Sequence, residues 1–241
     1  MSLYLALDTA TPIASVAVGD ETGAVAEVRL GRRRHSAATV PAIAEVLELA
    51  GLSFGDLTGI VLADGPGSFT GLRIGFATAL GVLEQYPGLV LKTAPSLLGA
   101  AWRALPFAQG PVAAVFDALR GEVFAAVYAA GEGRVETLVA PQLVRPAQLV
   151  SLHVRPALAV GDGAAAHAAL MQEWTGRPPI GPPALVPAAS ALLELLGVEG
   201  ATRPVENPAT AEPCYGRPAE AQARWEQIHG RPLPDPPGRP V

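Results

Sequence analysis

Apolar residues alternate with small or polar ones from the start of the chain: Leu3, Leu5 and Leu7, then Val16 and Val18, then Val25, Val28 and Leu30. That period of two predicts three antiparallel strands over residues 3–30, joined by turns at Thr11-Pro12 and Asp20-Glu21-Thr22-Gly23. The pattern then changes to helical spacing. Val40, Ile43, Val46, Leu47 and Ala50 predict a helix over about 36–50 that stops at Gly51. A short apolar run, Gly59 to Ala63, predicts a buried strand. A Gly-Pro-Gly turn leads from it into a helix over 69–86, followed by a strand at 89–91 and a helix from Ser96.

The second half of the chain restarts in the same order. Val112 to Asp117 matches Leu3 to Asp8 as an apolar strand ending on Asp. Strands at 123–129 and 135–139 follow, then Ala157 to Val160 and an Ala-rich helix running to Trp174. Asp64-Gly65 and Asp162-Gly163 occupy equivalent places after the fourth strand of each half. This ordered recurrence predicts a duplicated β-β-β-α-β-α unit and an α/β fold of two lobes facing across a cleft, against the alternative of two ordinary α/β units that are alike by chance. The expected division is a first lobe over 1–104, a second over 105–230 and a Pro-rich tail over 231–241. Within the second lobe, further helices are expected over 186–198 and 219–229.

The helix over 69–86 is apolar on two faces. Leu72, Phe76, Leu80 and Leu83 form one, while Gly71, Gly75, Thr78, Ala79 and Val82 form a ridge of small side chains. Such a helix is covered on both sides. The small ridge permits another helix to approach closely, whether the first helix of the same lobe or a second protein.

Composition sharpens this picture. Half of the 241 residues are hydrophobic, and only 16% are charged, against about 25% in ordinary globular domains. The chain is too apolar to be intrinsically disordered, and its low charge suggests a surface reserved for contact. A net charge of −5 argues against unaided binding of nucleic acid. Arg32-Arg33-Arg34 is the one dense basic tract and reads as a solvated loop. Cys214 stands alone, so no intrachain disulfide framework exists and a cytoplasmic location is expected. Leu3 to Asp8 reads as a strand and not as a signal peptide, and no apolar run reaches the roughly 20 residues of a membrane span.

Candidate chemistry is sparse. Gly65-Pro66-Gly67-Ser68-Phe69-Thr70-Gly71 could place an anion at a helix N-terminus or could be a tight structural turn with Ser68 as the cap. The Lys of a phosphate-binding Walker loop is missing. Asp8-Thr9-Ala10-Thr11 lies where sugar kinases and actin-like ATPases carry Asp-x-Gly-Thr, with Ala10 in place of the glycine that lets backbone amides close on phosphates. Any residual nucleotide site would use Asp8 with Gly161, Asp162 and Gly163. His35, His153, His167 and His229 form no pair at helical ligand spacing, so no metal site is expected.

These residues closely resemble one family. Leu5-Ala6-Leu7-Asp8-Thr9-Ala10-Thr11, Arg32-Arg33-Arg34-His35-Ser36, Gly65 to Gly75, Asp117 to Phe124 and Gly161-Asp162-Gly163-Ala164 are similar to the TsaB (YeaZ) family over most of residues 3–170. Pro213-Cys214-Tyr215-Gly216-Arg217 matches weakly, and the Pro-rich tail departs from the pattern. The resemblance implies the two-lobed fold of actin, Hsp70 and the sugar kinases. It also implies a cytoplasmic, non-catalytic scaffold or activator for forming N6-threonylcarbamoyladenosine at position 37 of tRNAs that read codons beginning with A.

In that reading the chain pairs with the catalytic paralogue TsaD, is joined by the ATPase TsaE, and meets tRNA only through the complex. Metal and nucleotide belong to the partners, and a homodimer can form in isolation. The expected docking residues are Val40, Ile43, Leu47, Gly71, Gly75, Ala79 and Val82. An ATP-dependent kinase or a glycoprotease-like hydrolase on the same fold is the enzymatic alternative.

Overall fold

The computed structural model describes residues 2–31, 35–131, 133–217 and Gly230. The Arg32–Arg34 tract, the expected helix over 219–229 and the tail over 231–241 lie outside the described residues. The chain runs β1 (Tyr4–Asp8), β2 (Ala14–Asp20), β3 (Gly23–Leu30), α1 (His35–Ala50), β4 (Gly59–Ala63), α2 (Phe69–Gln85), β5 (Val90–Ala94) and α3 (Ser96–Trp102). It continues with β6 (Val112–Asp117), β7 (Val123–Ala130), β8 (Val135–Val144), α4 (Pro146–Val150), β9 (Leu158–Val160), α5 (Asp162–Ala166), α6 (Ala168–Thr175), α7 (Ala189–Glu194) and β10 (Arg203–Pro204).

Two sheets result, ordered β10-β5-β4-β1-β2-β3 and β8-β7-β6-β9. Both contain the same unit: an antiparallel meander whose first strand pairs in parallel with the fourth. The duplicated two-lobed α/β fold expected from the sequence is therefore present in the topology.

The two copies have diverged in their helices. α1 and α2 span 16 and 17 residues. Their counterparts are the 5-residue α4 and a helix broken at His167 into α5 and α6.

Alternation along each strand assigns side chains to layers. Leu5, Leu7, Val16 and Val18 pack outward under α1 and α2, while Tyr4, Ala6 and Ala17 face the second sheet. Ala113, Val115 and Ala125 pack under α4 to α6, and Ala114, Phe116 and Ala126 face inward. Helices α3 and α7 lie between the sheets, so both sheets are covered on both faces. This layering accounts for the unusual composition: β1, β2 and β4 are buried throughout, and strands buried on two faces read as nearly continuous apolar runs, here with a carboxyl only at the ends of β1 and β2, Asp8 and Asp20.

The middle layer changes the expected division of the chain. Residues 189–204, counted with the second lobe on sequence grounds, return to the first. α7 packs on β1, β2 and β3, with the Ala189 amide donating to the buried Ser15 hydroxyl at 2.7 Å. β10 then pairs with β5 at the edge of the first sheet. The helix expected over 186–198 is shorter, with a 3-10 turn at Leu195–Gly197 ending it. Ala189, Ala191, Leu192 and Leu193 are all buried, which explains why a segment this apolar sits between two sheets.

Candidate functional site

The sequence's candidate residues Asp8 and Gly161-Asp162-Gly163 lie at the ends of β1 and β9. Asp8 ends β1 with 1% of its surface exposed. Its Oδ1 accepts the Ala10 amide at 3.1 Å, and its Oδ2 has no partner among the described residues. Burial pushes its pKa up to about 6, opposed by the Ala10 hydrogen bond and assisted by the negative charge of Glu27.

The Gly-rich block packs on the turn that follows Asp8. The Ser68 amide donates to the Ala10 carbonyl at 2.7 Å. A Cβ on Gly71 would run into the Thr9 carbonyl, and one on Gly75 into the Thr9 hydroxyl. The first turns of α2 thus lie directly on the β1–β2 turn, and these glycines serve that contact. Ser68 caps the helix as expected, accepting from the Gly71 amide at 3.2 Å.

The Gly161-Asp162-Gly163 turn follows β9. Asp162 Oδ1 accepts the Asp117 amide at 3.1 Å and the Gly163 amide at 2.9 Å. Burial raises the Asp162 pKa, and these two amides oppose the rise. The carboxylate thereby joins the end of β9 to the end of β6. Across the cleft it meets Thr11, Pro12 and Ile13, with Pro182, Val186 and Pro187 closing the gap to about 10 Å³. That is room for about one water. Asp8 does not line this gap, whereas Thr11 of the same hairpin does.

The docking residues expected from the sequence divide sharply. Ile43, Leu47 and Ala79 are buried in the first lobe's own core, and Gly71 and Gly75 are buried against the β1–β2 turn. These five are therefore not available as a surface. Val82 is half-buried, and Val40 is 63% exposed. The exposed positions of the helix pair instead include Val40 and Ala44 on α1, with Leu49 half a turn round the same helix, and Thr70, Arg73, Ala77 and Gly81 on α2. Both faces of α2 read from the sequence are covered: Leu72, Phe76 and Leu83 are buried, and so are Gly71, Gly75 and Ala79. On a helix with small residues on several sides, sequence alone does not say which side meets the sheet.

Sequence reasoning missed the segment over 211–217. Its Cys214 amide donates to the Asp64 carbonyl at 2.7 Å. Gly65, at φ 115°, accommodates the Cys214 carbonyl where a Cβ would collide. Tyr215 packs on Phe69 with ring centroids 4.6 Å apart and accepts from Arg73 Nε at 3.1 Å. Arg217 then crosses to the second lobe, donating to the Ala118 carbonyl at 2.7 Å and pairing with Glu122 at 3.3 Å. The segment is a strap from the start of α2 to the β6–β7 turn. Having no periodicity, it offers only its aromatic and arginine residues as a signal.

Among the described residues no group of acidic, His and Cys side chains is arranged to hold a metal ion. No helix among them is long and apolar enough to cross a membrane.

Comparison with known proteins agrees with the topology. The chain is 32% identical over 249 aligned positions to the tRNA threonylcarbamoyladenosine biosynthesis protein TsaB of Escherichia coli, covering 94% of this chain and 98% of that protein. The chain belongs to the TsaB family. The Bacillus subtilis TsaB is 30% identical, covering 92% and 96% of the two chains. The sequence model of the TsaD family, described as tRNA N6-adenosine threonylcarbamoyltransferase, matches residues 27–185.

Among solved structures, a Pseudomonas aeruginosa protein described as similar to peptidase YeaZ superposes with a TM-score of 0.76. It is 28% identical and covers 90% of this chain and 100% of its own. The match to a TsaD family model and the TsaB relatives agree with the kinship between TsaB and TsaD that the sequence resemblance implied.

Proposed function

We propose that this TsaB-family protein acts in the cytoplasm as a non-catalytic subunit in the formation of N6-threonylcarbamoyladenosine on tRNA, by docking its first lobe against a TsaD homologue. A TsaE homologue joins the pair, tRNA is met through the assembly, and nucleotide and metal are held by the partners. Without TsaD the same face supports a homodimer.

The observation that carries the reading is the asymmetry of the duplication. The first lobe keeps two long adjacent helices whose outer side leaves Val40, Leu49 and Ala77 uncovered, while the second lobe's counterparts are short or broken. Uncovered aliphatic positions on two adjacent helices suit packing against another helix pair. The nearly closed gap at Asp162 and the packing of α2 on the Thr9 turn support a lobe pair used for binding rather than for phosphoryl transfer.

The test is co-purification with the TsaD homologue, together with mass spectrometry of the modified nucleoside in depleted cells. Ala77→Arg and Val40→Glu should abolish co-purification, leave the thermal midpoint unchanged and fail to restore the nucleoside. Full restoration by both variants would reject the docking face. A normal nucleoside level in depleted cells would reject the role in tRNA modification.

A further inference from the structure

Away from the cleft, the first lobe ends in exposed apolar residues. The Val90 amide donates to the Thr58 carbonyl at 3.1 Å and the Thr58 amide to the Leu3 carbonyl at 2.7 Å, so β1, β4 and β5 all begin at this end. α1 and α2, which lead into β4 and β5, therefore finish here side by side. Beyond α1 the chain makes a 3-10 turn over Phe54–Asp56. The Phe54 ring stacks on Tyr86, the residue that ends α2, with centroids 4.7 Å apart and planes 18° from parallel. Leu49, in the last turn of α1, is 66% exposed and Tyr86 37%, while Leu52 and Leu89 are half-buried against the lobe's core.

The charges around these residues have one sign. Glu45 and Glu48 on α1, Asp56 in the turn and Glu84 on α2 are all exposed, and none of the four pairs with a cation among the described residues. Between His35 and Lys92 the only basic residue is Arg73, about 18 Å back along α2 from its last residue. Lys92 is on the other face of the sheet, with its Nζ 5.5 Å from the centre of the Tyr4 ring, whereas its neighbour Leu91 packs under the helices. A helix C-terminus carries partial negative charge and favours Lys or Arg in its last turn. Neither α1 nor α2 has one there, and Glu48 and Glu84 stand in those turns instead. Two helix ends and four carboxylates thus select a cationic occupant and repel a nucleic acid backbone.

We propose that this end of the first lobe docks a basic amphipathic segment of a partner protein, whose aliphatic side chains pack on Leu49 and Tyr86 while its Arg or Lys residues meet Glu45, Glu48, Glu84 and the two helix C-termini. The charges choose the sign of the partner and steer its approach, and the uncovered apolar side chains demand an anchor that a free cation or a purely polar basic segment lacks. Tyr86 suits this use because its stack on Phe54 already restricts the ring, so little freedom is lost on binding. Leu49 alone is shared with the outer helix face described above, and the proposal stands whether or not that face meets a TsaD homologue.

The test is fluorescence anisotropy of the full-length protein with a labelled peptide of arginine, leucine and alanine patterned as an amphipathic helix. One control peptide carries glutamate for arginine, and a second carries alanine for leucine. The arginine-leucine peptide should saturate, bind at least about tenfold more tightly than either control, and weaken as salt rises. Glu48→Gln combined with Glu84→Gln should weaken it by about tenfold, and because both positions are exposed the thermal midpoint should not fall. Tyr86→Ser should weaken it by a similar factor. Ala77→Arg, on the outer face, should leave peptide binding unchanged.

Equal binding of the alanine-for-leucine control would reduce the effect to net charge and overturn the proposal. So would failure to saturate at millimolar peptide, or binding indifferent both to the paired glutamate substitutions and to Tyr86→Ser. Loss of binding in Ala77→Arg with retention in the glutamate variant would move the contact to the outer helix face and likewise overturn it.

Discussion

Tyr215 packs its ring on Phe69 at a centroid distance of 4.6 Å, and so joins a residue near the end of the described chain to the first residue of α2. Arg73 lies over the Phe69 ring at 4.2 Å and donates to the Tyr215 hydroxyl, making a three-residue stack at the edge of the outer helix face. The strap carrying Tyr215 continues through Gly216, wedged between Pro66 and Phe124, to Arg217 on the second lobe. The position of α2 is therefore tied to both lobes.

Tyr215→Ala should destabilise the protein by about 1–2 kcal/mol, the scale of one aromatic pair and one hydrogen bond that are partly exposed. Urea unfolding measures the loss, and Tyr215→Phe should recover most of it because the ring contact remains. Equal losses in the two variants would show that the hydroxyl, and not the stack, holds the strap.

Gly75→Val should cost about 3 kcal/mol or more, because the new side chain meets Thr9 and Leu62 at a helix that cannot move away from its sheet. Ala77→Arg, two residues further on and facing outward, should leave the thermal midpoint within a degree or two. Paired thermal melts check this contrast, which separates the buried side of α2 from its exposed one.

Asp8 makes stability depend on pH. Its folded pKa of about 6 lies above the ordinary value of 3.8, so between these values the folded state holds more proton than the unfolded one. Stability is thus favoured below pH 4, falls as pH rises toward 6, and is lower by about 3 kcal/mol above it. Asp8→Asn should flatten this part of the profile in urea unfolding between pH 4 and 7. An unchanged slope would mean that the carboxyl is not the group responsible.

Arg203→Met removes the partner of a carboxylate that is 8% exposed. Because the arginine itself is largely solvated, the expected cost is about 2 kcal/mol, below that of breaking a fully buried pair. Adding Asp64→Asn should return part of the stability, and a double-mutant cycle by chemical denaturation measures the coupling. Additive effects would show that the ion pair contributes nothing.

Much of the fold was legible in the order of apolar runs. Strands β1 to β4 and β6 to β9, the turn into α2 and the repeat of the unit all follow from local pattern, and each strand's identity depends only on residues within a few positions. The Gly65-to-Gly75 block and its neighbours likewise carried the family resemblance, because close packing of α2 on Thr9 demands particular residues in a fixed row.

What the sequence did not contain was direction. Gly71, Gly75 and Ala79 form a ridge by spacing alone, but whether that ridge meets a partner or the chain's own β1–β2 turn depends on how α2 is rotated over the sheet. The return of residues 189–204 to the first lobe and the strap over 211–217 arise from contacts between residues far apart in the chain. Such contacts leave no periodic trace in sequence. The chain's local pattern determined its elements, their duplication and its family; the tertiary structure decided which apolar faces are spent on the core and which are left for something else.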